Sequence, residues 1–184
     1  MSTKPSKPSS GAQINHLVLS VRDLEKSHTF YTEILGFERC AILDKARHSM
    51  DMYFYRGVDT THHDIALLQI AEPENVEAPG GWVGFTPKTA VGINHIAIGY
   101  PSRDSWLAQI EHIQACGVEF IVRGNHGMTH SVYIADPDGN GLEIVYDVDK
   151  ERWENDVNAA MNHFDVLPGS GPEALLDPPT PVFG

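Results

Sequence analysis

Apolar runs of period two alternate with longer stretches of helical period along this chain, and the alternation happens twice. The first round begins with the strand-like LVLSV that follows His16. Next comes RDLEKSHTFYTEILGF, in which Leu24, His28, Tyr31 and Leu35 recur at helical spacing. Asp23 is placed to cap that helix and Gly36 to stop it. Three strand-like stretches complete the round: ERCAILD, MDMYFYR and HDIALLQIA. The second round repeats the order. IAIGY follows His95, and PSRDSWLAQIEHIQACGVEF carries Trp106, Ile110 and Ile113 on one helical face, with Ser102 or Asp104 as cap and Gly117 as stop. EFIVRG, HSVYIAD and GLEIVYDV follow, and the turn DPDGNG between the last two is a strong hairpin signal. The tripeptide Ile-Asn-His opens both rounds, 79 positions apart. The pattern predicts an α+β domain made of two duplicated β-α-β-β-β modules.

The modules occupy residues 13–72 and 92–148. Between them, residues 73–91 are rich in Pro and Gly and read as a connecting loop, with Trp82 and Phe85 expected to cover the core. Residues 1–12 are polar, rich in Ser, Pro and Lys, and read as a disordered leader. They lack the apolar segment of a signal peptide. Residues 149–184 read as a C-terminal helix, with Trp153, Val157, Ala160 and Phe164 at helical spacing, followed by an extended proline-bearing tail. A chain of 184 residues suits one domain overall.

Charge and composition narrow the partners. Net charge is −12, from 13 basic and 25 acidic side chains, so phosphate backbones are repelled and no nucleic-acid partner is expected. No apolar run reaches the ~20 residues of a membrane helix, so no membrane partner is expected. Two cysteines, Cys40 and Cys116, make no disulfide framework, and a reducing cytoplasm is the expected location.

Ten histidines make their placement the next question. His16 and His95 each precede the first strand of a module. If the modules pair about an approximate two-fold axis, both imidazoles point into one cavity. Glu143 lies in the last strand of the second module between Leu142 and Ile144, where an acid is costly to bury unless it is paired or ligating. Two histidines and one carboxylate form the facial triad that leaves positions open on Fe(II). The first module has Ala66 and Leu67 where Glu143 would repeat, and Gln69 reaches that place only with a shifted register. His28, His48, His62, His112 and His163 read as solvated residues of helix faces and loops.

These segments resemble the vicinal oxygen chelate superfamily, which includes glyoxalases, bleomycin-resistance proteins and type I extradiol dioxygenases. The two INH segments with GNGLE are similar to the metal histidines and glutamate of extradiol enzymes. HHDIALL resembles a His-His segment whose second histidine is the acid–base residue, which implies that role for His63. RGNHGMTHSVYIADPDGNGLE resembles the segment that supplies a further histidine and a tyrosine. Tyr133, ten residues before Glu143, takes the tyrosine role; His126 is the histidine of choice and His130 its rival. The tail resembles that of enzymes acting on biphenyl-type catechols. The resemblance spans residues 13–148 and is to a one-domain type. It implies two modules paired into a glyoxalase-like barrel around a metal held by His16, His95 and Glu143. The metal would be Fe(II), or less commonly Mn(II), with O2 as co-substrate and a small aromatic diol as substrate; a homo-oligomer is in keeping with it. The alternatives are a metal-dependent glyoxalase- or epimerase-type isomerase or lyase, and a non-enzymatic binding protein.

Overall fold

The structure, a computed structural model, describes residues 13–57, 62–76 and 92–184. The leader at 1–12 and the loop residues Trp82 and Phe85 lie outside the described residues. Module one contains β1 (Leu17–Val21), α1 (Leu24–Thr29), β2 (Glu38–Ile42), a short α2 (Lys45–His48), β3 (Met52–Arg56) and β4 (Ile65–Gln69). Asp23 caps α1, its carboxylate accepting the Lys26 N–H at 3.0 Å. The helix then widens into a π-helical turn, Phe30–Ile34, before Gly36 reverses the chain at φ +80°. The wider turn keeps Phe30, Tyr31 and Leu35 buried.

Module two contains β5 (His95–Gly99), α3 (Arg103–Ala115), β6 (Val122–Asn125), β7 (Thr129–Ala135) and β8 (Gly141–Asp147). Ser102, not Asp104, caps α3 through a reciprocal arrangement with Ser105. Trp106, Ile110 and Ile113 form the fully buried face of α3.

Each module makes one sheet, and the two have the same plan. The strand orders are β1-β4-β3-β2 and β5-β8-β7-β6, with the first and last strands of each module parallel. Among the described residues no ladder joins the sheets, so β1 and β5 each end a sheet and the architecture is two sheets over one core rather than a closed barrel. Leu19, Val21, Tyr31 and Leu67 from module one share a single apolar cluster with Trp106, Ile110, Val132 and Ile144 from module two. Polar ties cross the same boundary. Arg22 Nε donates to Asp138 at 2.7 Å, the Tyr31 hydroxyl donates to Asp136 at 3.1 Å, and Gln109 donates to the Ile34 carbonyl at 2.6 Å.

The C-terminal segment departs from the expected helix. A 3-10 turn at Lys150–Arg152 precedes α4 (Val157–Met161), and β9 (Asp165–Val166) then pairs with β6 as a fifth strand of the second sheet. The helix begins late because Asp156 accepts the Ala159 N–H and so acts as a cap inside the periodic stretch. Further on, the tail is pinned through Asp177, whose side chain is 1% exposed. Its carboxylate accepts from His130 Nδ1 at 2.5 Å, Tyr146 Oη at 2.7 Å and Arg103 Nε at 2.6 Å. The fully buried Arg123 guanidinium stands 3.6 Å away.

Truncating Asp177 to Ala leaves those donors without their shared acceptor. Such a change in a buried ionic network is expected to cost ~3–5 kcal/mol, read as a lower denaturant midpoint; an unshifted midpoint would refute this account of the tail. The pH dependence has a definite sign. Burial alone would raise the Asp177 carboxyl, but hydrogen bonds from His130, Tyr146 and Arg103 hold it below its ordinary 3.8. Its contribution is therefore complete above the unfolded carboxyl value and falls away as pH drops through the lower folded value. The Asp177→Ala variant should lose less of its remaining stability over that acid range than the parent chain.

Candidate functional site

Strand register shows what the duplication kept and what it changed. In module one Val18 pairs with Ala66 and Ala66 with Phe54; in module two Ala97 pairs with Glu143 and Glu143 with Tyr133. Val18 and Ala97 each lie two residues after the module's histidine. Ala66 is thus the counterpart of Glu143, and Phe54 that of Tyr133. The carboxylate and the hydroxyl beside it are both missing from module one. Gln69 does not replace them. It pairs with Val21, and its side chain accepts the Leu24 N–H at 2.8 Å and donates to the Arg22 carbonyl at 2.6 Å.

In module two the polar groups converge. Glu143 is 8% exposed. Its Oε1 accepts from the Ser131 hydroxyl at 2.5 Å and from the Tyr133 hydroxyl at 2.8 Å. Tyr133 has one proton and gives it to Glu143, so at 3.1 Å His126 Nε2–H donates to the phenol oxygen. Burial lowers the His126 imidazole below its ordinary value, partly offset by the Glu143 charge. Burial, the Glu143 charge and the hydrogen bond to it raise the Tyr133 phenol well above 10.0. Phe164 lies against the His126 ring with centroids 4.7 Å apart. It reaches there only because residue 124 is glycine: a Cβ at that position would meet the Phe164 ring at 2.3 Å.

His130 points the other way. It pairs across the sheet with Tyr146, while Tyr133 pairs with Glu143. Both His130 nitrogens are engaged by the tail, Nδ1 with Asp177 and Nε2 with the Thr180 hydroxyl at 2.6 Å. Of the two rivals, His126 is the one beside Tyr133.

His95 Nε2 stands 3.2 Å from Glu143 Oε2. His95 Nδ1 is 2.8 Å from Asn94 Oδ1. That oxygen only accepts, so Nδ1 carries the hydrogen and a neutral ring turns its Nε2 lone pair toward the carboxylate. Two acceptors that close must share a proton or a cation. The donor chemistry of this pair fits a divalent metal.

His16 and His63 belong to a second group. His16 is exposed, and its Nδ1 is 2.8 Å from Asn15 Oδ1, as in the other repeat. Its ring centroid is 4.5 Å from that of His63. His62 Nδ1 and His63 Nδ1 are 2.6 Å apart, and the His63 ring meets Phe54 edge-on at 5.1 Å. Burial, then the charges of His16 and His62, lower the His63 imidazole below its ordinary value, partly offset by Asp64. Among the described residues no three His, Cys, Asp or Glu side chains are gathered closely enough to hold a metal. One chain therefore presents the His95–Glu143 pair and the His16–His63 group as separate halves.

The sequence reading missed Ser131, His62 and the two asparagines. For the asparagines a signal existed, since the repeated tripeptide is Ile-Asn-His and not merely a recurring histidine. His28 and His112, read as solvated, are bonded to the Tyr55 hydroxyl at 3.0 Å and the Glu33 carbonyl at 2.7 Å.

A family profile described as the Glyoxalase/Bleomycin resistance protein/Dioxygenase superfamily matches residues 13–144. The chain belongs to this superfamily. It is 29% identical over 143 residues to the catechol-2,3-dioxygenase of Bacillus subtilis (strain 168), a match spanning 78% of this chain and 44% of that one. It is also 29% identical over 146 residues to the lactoylglutathione lyase of Pseudomonas putida, spanning 71% and 83%. The chain thus covers less than half of the dioxygenase and most of the lyase. A solved glyoxylase/bleomycin resistance protein/dioxygenase domain from Frankia sp. EAN1pec shares the fold, with a TM-score of 0.57 at 20% identity over 79% of this chain and 99% of that one. Among the described residues no helix is long and apolar enough to cross a membrane.

The phenols offer a direct check on these surroundings. Burial raises Tyr31, Tyr55, Tyr133 and Tyr146 well above 10.0 and carries Tyr100 to about 12, while a hydrogen bond to Glu25 raises Tyr53. These are all six tyrosines of the chain. Their stabilising contribution is complete below the unfolded value and is lost as pH rises through the folded values. Alkaline titration of the folded protein should show much less phenolate absorbance near pH 10 than the denatured chain, in which all six phenols titrate freely. Early phenolate in a protein that retains its circular dichroism would contradict the packing.

Proposed function

We propose that this chain is an extradiol dioxygenase, opening the ring of a catechol-type diol beside its hydroxyl pair with a divalent metal and O2. The observation that carries the reading is the His95–Glu143 pair in a protein whose other module has a histidine, His16, but Ala66 in place of a second carboxylate. This makes a ligand set of two histidines and one carboxylate, which leaves more of the metal open than a four-ligand set. Similarity to a catechol-2,3-dioxygenase supports the same choice.

The residues would divide the work as follows. His16, His95 and Glu143 would hold Fe(II), with Mn(II) as the less common substitute. The metal supplies Lewis acidity and the one-electron chemistry that lets a diol react with O2. His63 takes a proton from the second hydroxyl and returns it later, a task suited to an imidazole, whose ordinary value lies near neutral pH. His126 and Tyr133 would turn their hydrogen bonds from the Tyr133–Glu143 relay to substrate oxygen as negative charge develops there. Phe164 offers an apolar wall to an aromatic ring. The His16–His63 half must be brought to the His95–Glu143 half, and a homo-oligomer does this when module one of one copy faces module two of another.

The second reading is an isomerase or lyase of the lactoylglutathione lyase kind, favoured by a relative that the chain covers to 83% of its length. The two are separated by loading the protein anaerobically with Fe(II) and admitting air with a panel of catechol, alkylcatechols and 2,3-dihydroxybiphenyl. The expected result is a visible band from a ring-opened product, abolished in His95→Ala and Glu143→Ala. His63→Ala should bind metal normally and lose ~10²–10⁴-fold in kcat. If no diol is cleaved while Ni(II)- or Zn(II)-loaded protein isomerises a hemithioacetal, the dioxygenase reading fails and the lyase reading stands.

A further inference from the structure

The two repeats share more than a histidine. In each, the residue immediately before the histidine is asparagine, and in each its Oδ1 lies 2.8 Å from the neighbouring Nδ1. The surroundings of the two rings are otherwise unlike. His16 is exposed and stands among histidines, whereas His95 is half-buried beside a carboxylate and the Tyr133 ring. A contact that recurs at the same distance in two such settings is a property of the tripeptide rather than of its environment. Both asparagines lie before the ladder residues of β1 and β5 begin. There the backbone is not yet committed to alternation, so consecutive side chains can meet.

We propose that Asn15 and Asn94 are positioning residues that set the tautomer and ring orientation of His16 and His95 for metal ligation through Nε2. An amide oxygen accepts and cannot donate, so the contact requires hydrogen on Nδ1. Free histidine favours the other tautomer, with hydrogen on Nε2, which has no lone pair there for a metal. The asparagine reverses that preference and turns Nε2 outward, in the way that partners of metal-bound imidazoles generally fix the ligating nitrogen. An amide does this without adding charge. An adjacent carboxylate would accept the same hydrogen but would also compete for the cation. The ligand being a sequence neighbour, little chain entropy is lost in forming the contact. This inference rests on the metal reading of His16, His95 and Glu143.

Two readouts test it, the first of which needs no metal. Imidazole nitrogen shifts in the metal-free protein should report hydrogen on Nδ1 at both histidines. Asn94→Ala should move His95 toward the Nε2–H form, and Asn15→Ala should do the same at the exposed His16, where folding is not at stake. The second readout is Co(II) affinity by chelator competition. It is expected to weaken 10–100-fold in Asn94→Ala, while the Nδ1–H form of His95 in the metal-free protein should return in Asn94→Asp, which keeps the acceptor. Unchanged tautomers in both alanine variants overturn the proposal. So does a flipped tautomer with Co(II) affinity unaltered. A wild-type protein that binds no Co(II) overturns the metal reading, and this proposal with it. A wild type that binds Co(II) while Asn94→Ala binds it equally well overturns the proposal alone.

Discussion

The contact on which the arrangement of the halves depends is between the DPDGNG turn of module two and the end of β1 in module one. Asp138 takes the Arg22 guanidinium at 2.7 Å. Asp136 takes the Tyr31 hydroxyl and, within its own turn, the Asp138 and Asn140 N–H groups at 2.9 and 2.8 Å. Both carboxylates are buried. Buried acids are costly unless well paired, so only an arrangement that brings Arg22 and Tyr31 to the turn is acceptable. The turn is also the start of β8. Fixing it against module one fixes where Glu143 emerges, a few residues further along.

Within that frame the duplicated modules diverged at matched positions. Glu143 and Tyr133 face one another across β8 and β7, and Ala66 and Phe54 do so across β4 and β3. A carboxylate in a sheet interior needs hydrogen bonds, and module two supplies them from Ser131 and Tyr133. Where the carboxylate is absent the hydroxyl would have no partner, and a phenyl ring stands in its place. Module one therefore has an apolar floor against which His63 rests, whereas module two has a polar relay from His126 through Tyr133 to Glu143.

The C-terminal segment closes module two from both sides. On one face Phe164 covers Gly124 and meets the His126 ring. On the other, Asp177 and Thr180 take the two nitrogens of His130. The second contact explains why two histidines so close in sequence have different fates. Strand alternation sends His130 to the face where the tail lies, and the tail turns it into an anchor.

The elements were legible in the sequence because their causes are local. Period-two alternation, the Asp23 cap, the glycine stops and the Asp-Pro-Asp-Gly turn depend on neighbours within one turn or one hairpin. The repeated tripeptide gave the duplication, and alternation alone put Tyr133 and Glu143 on a face that His130 does not share. The late start of α4 was not legible, since a helical period continues through Asp156 and only its capping contact interrupts the helix. Neither was the role of Asp177, whose partners Arg103, His130 and Tyr146 are 74, 47 and 31 positions away. The meeting of His95 with Glu143, and the standing apart of His16, likewise lay beyond the sequence. A strand's period fixes which way a side chain faces along its own segment; which face it then meets is set by packing between segments far apart in the chain, and only the tertiary structure decides that.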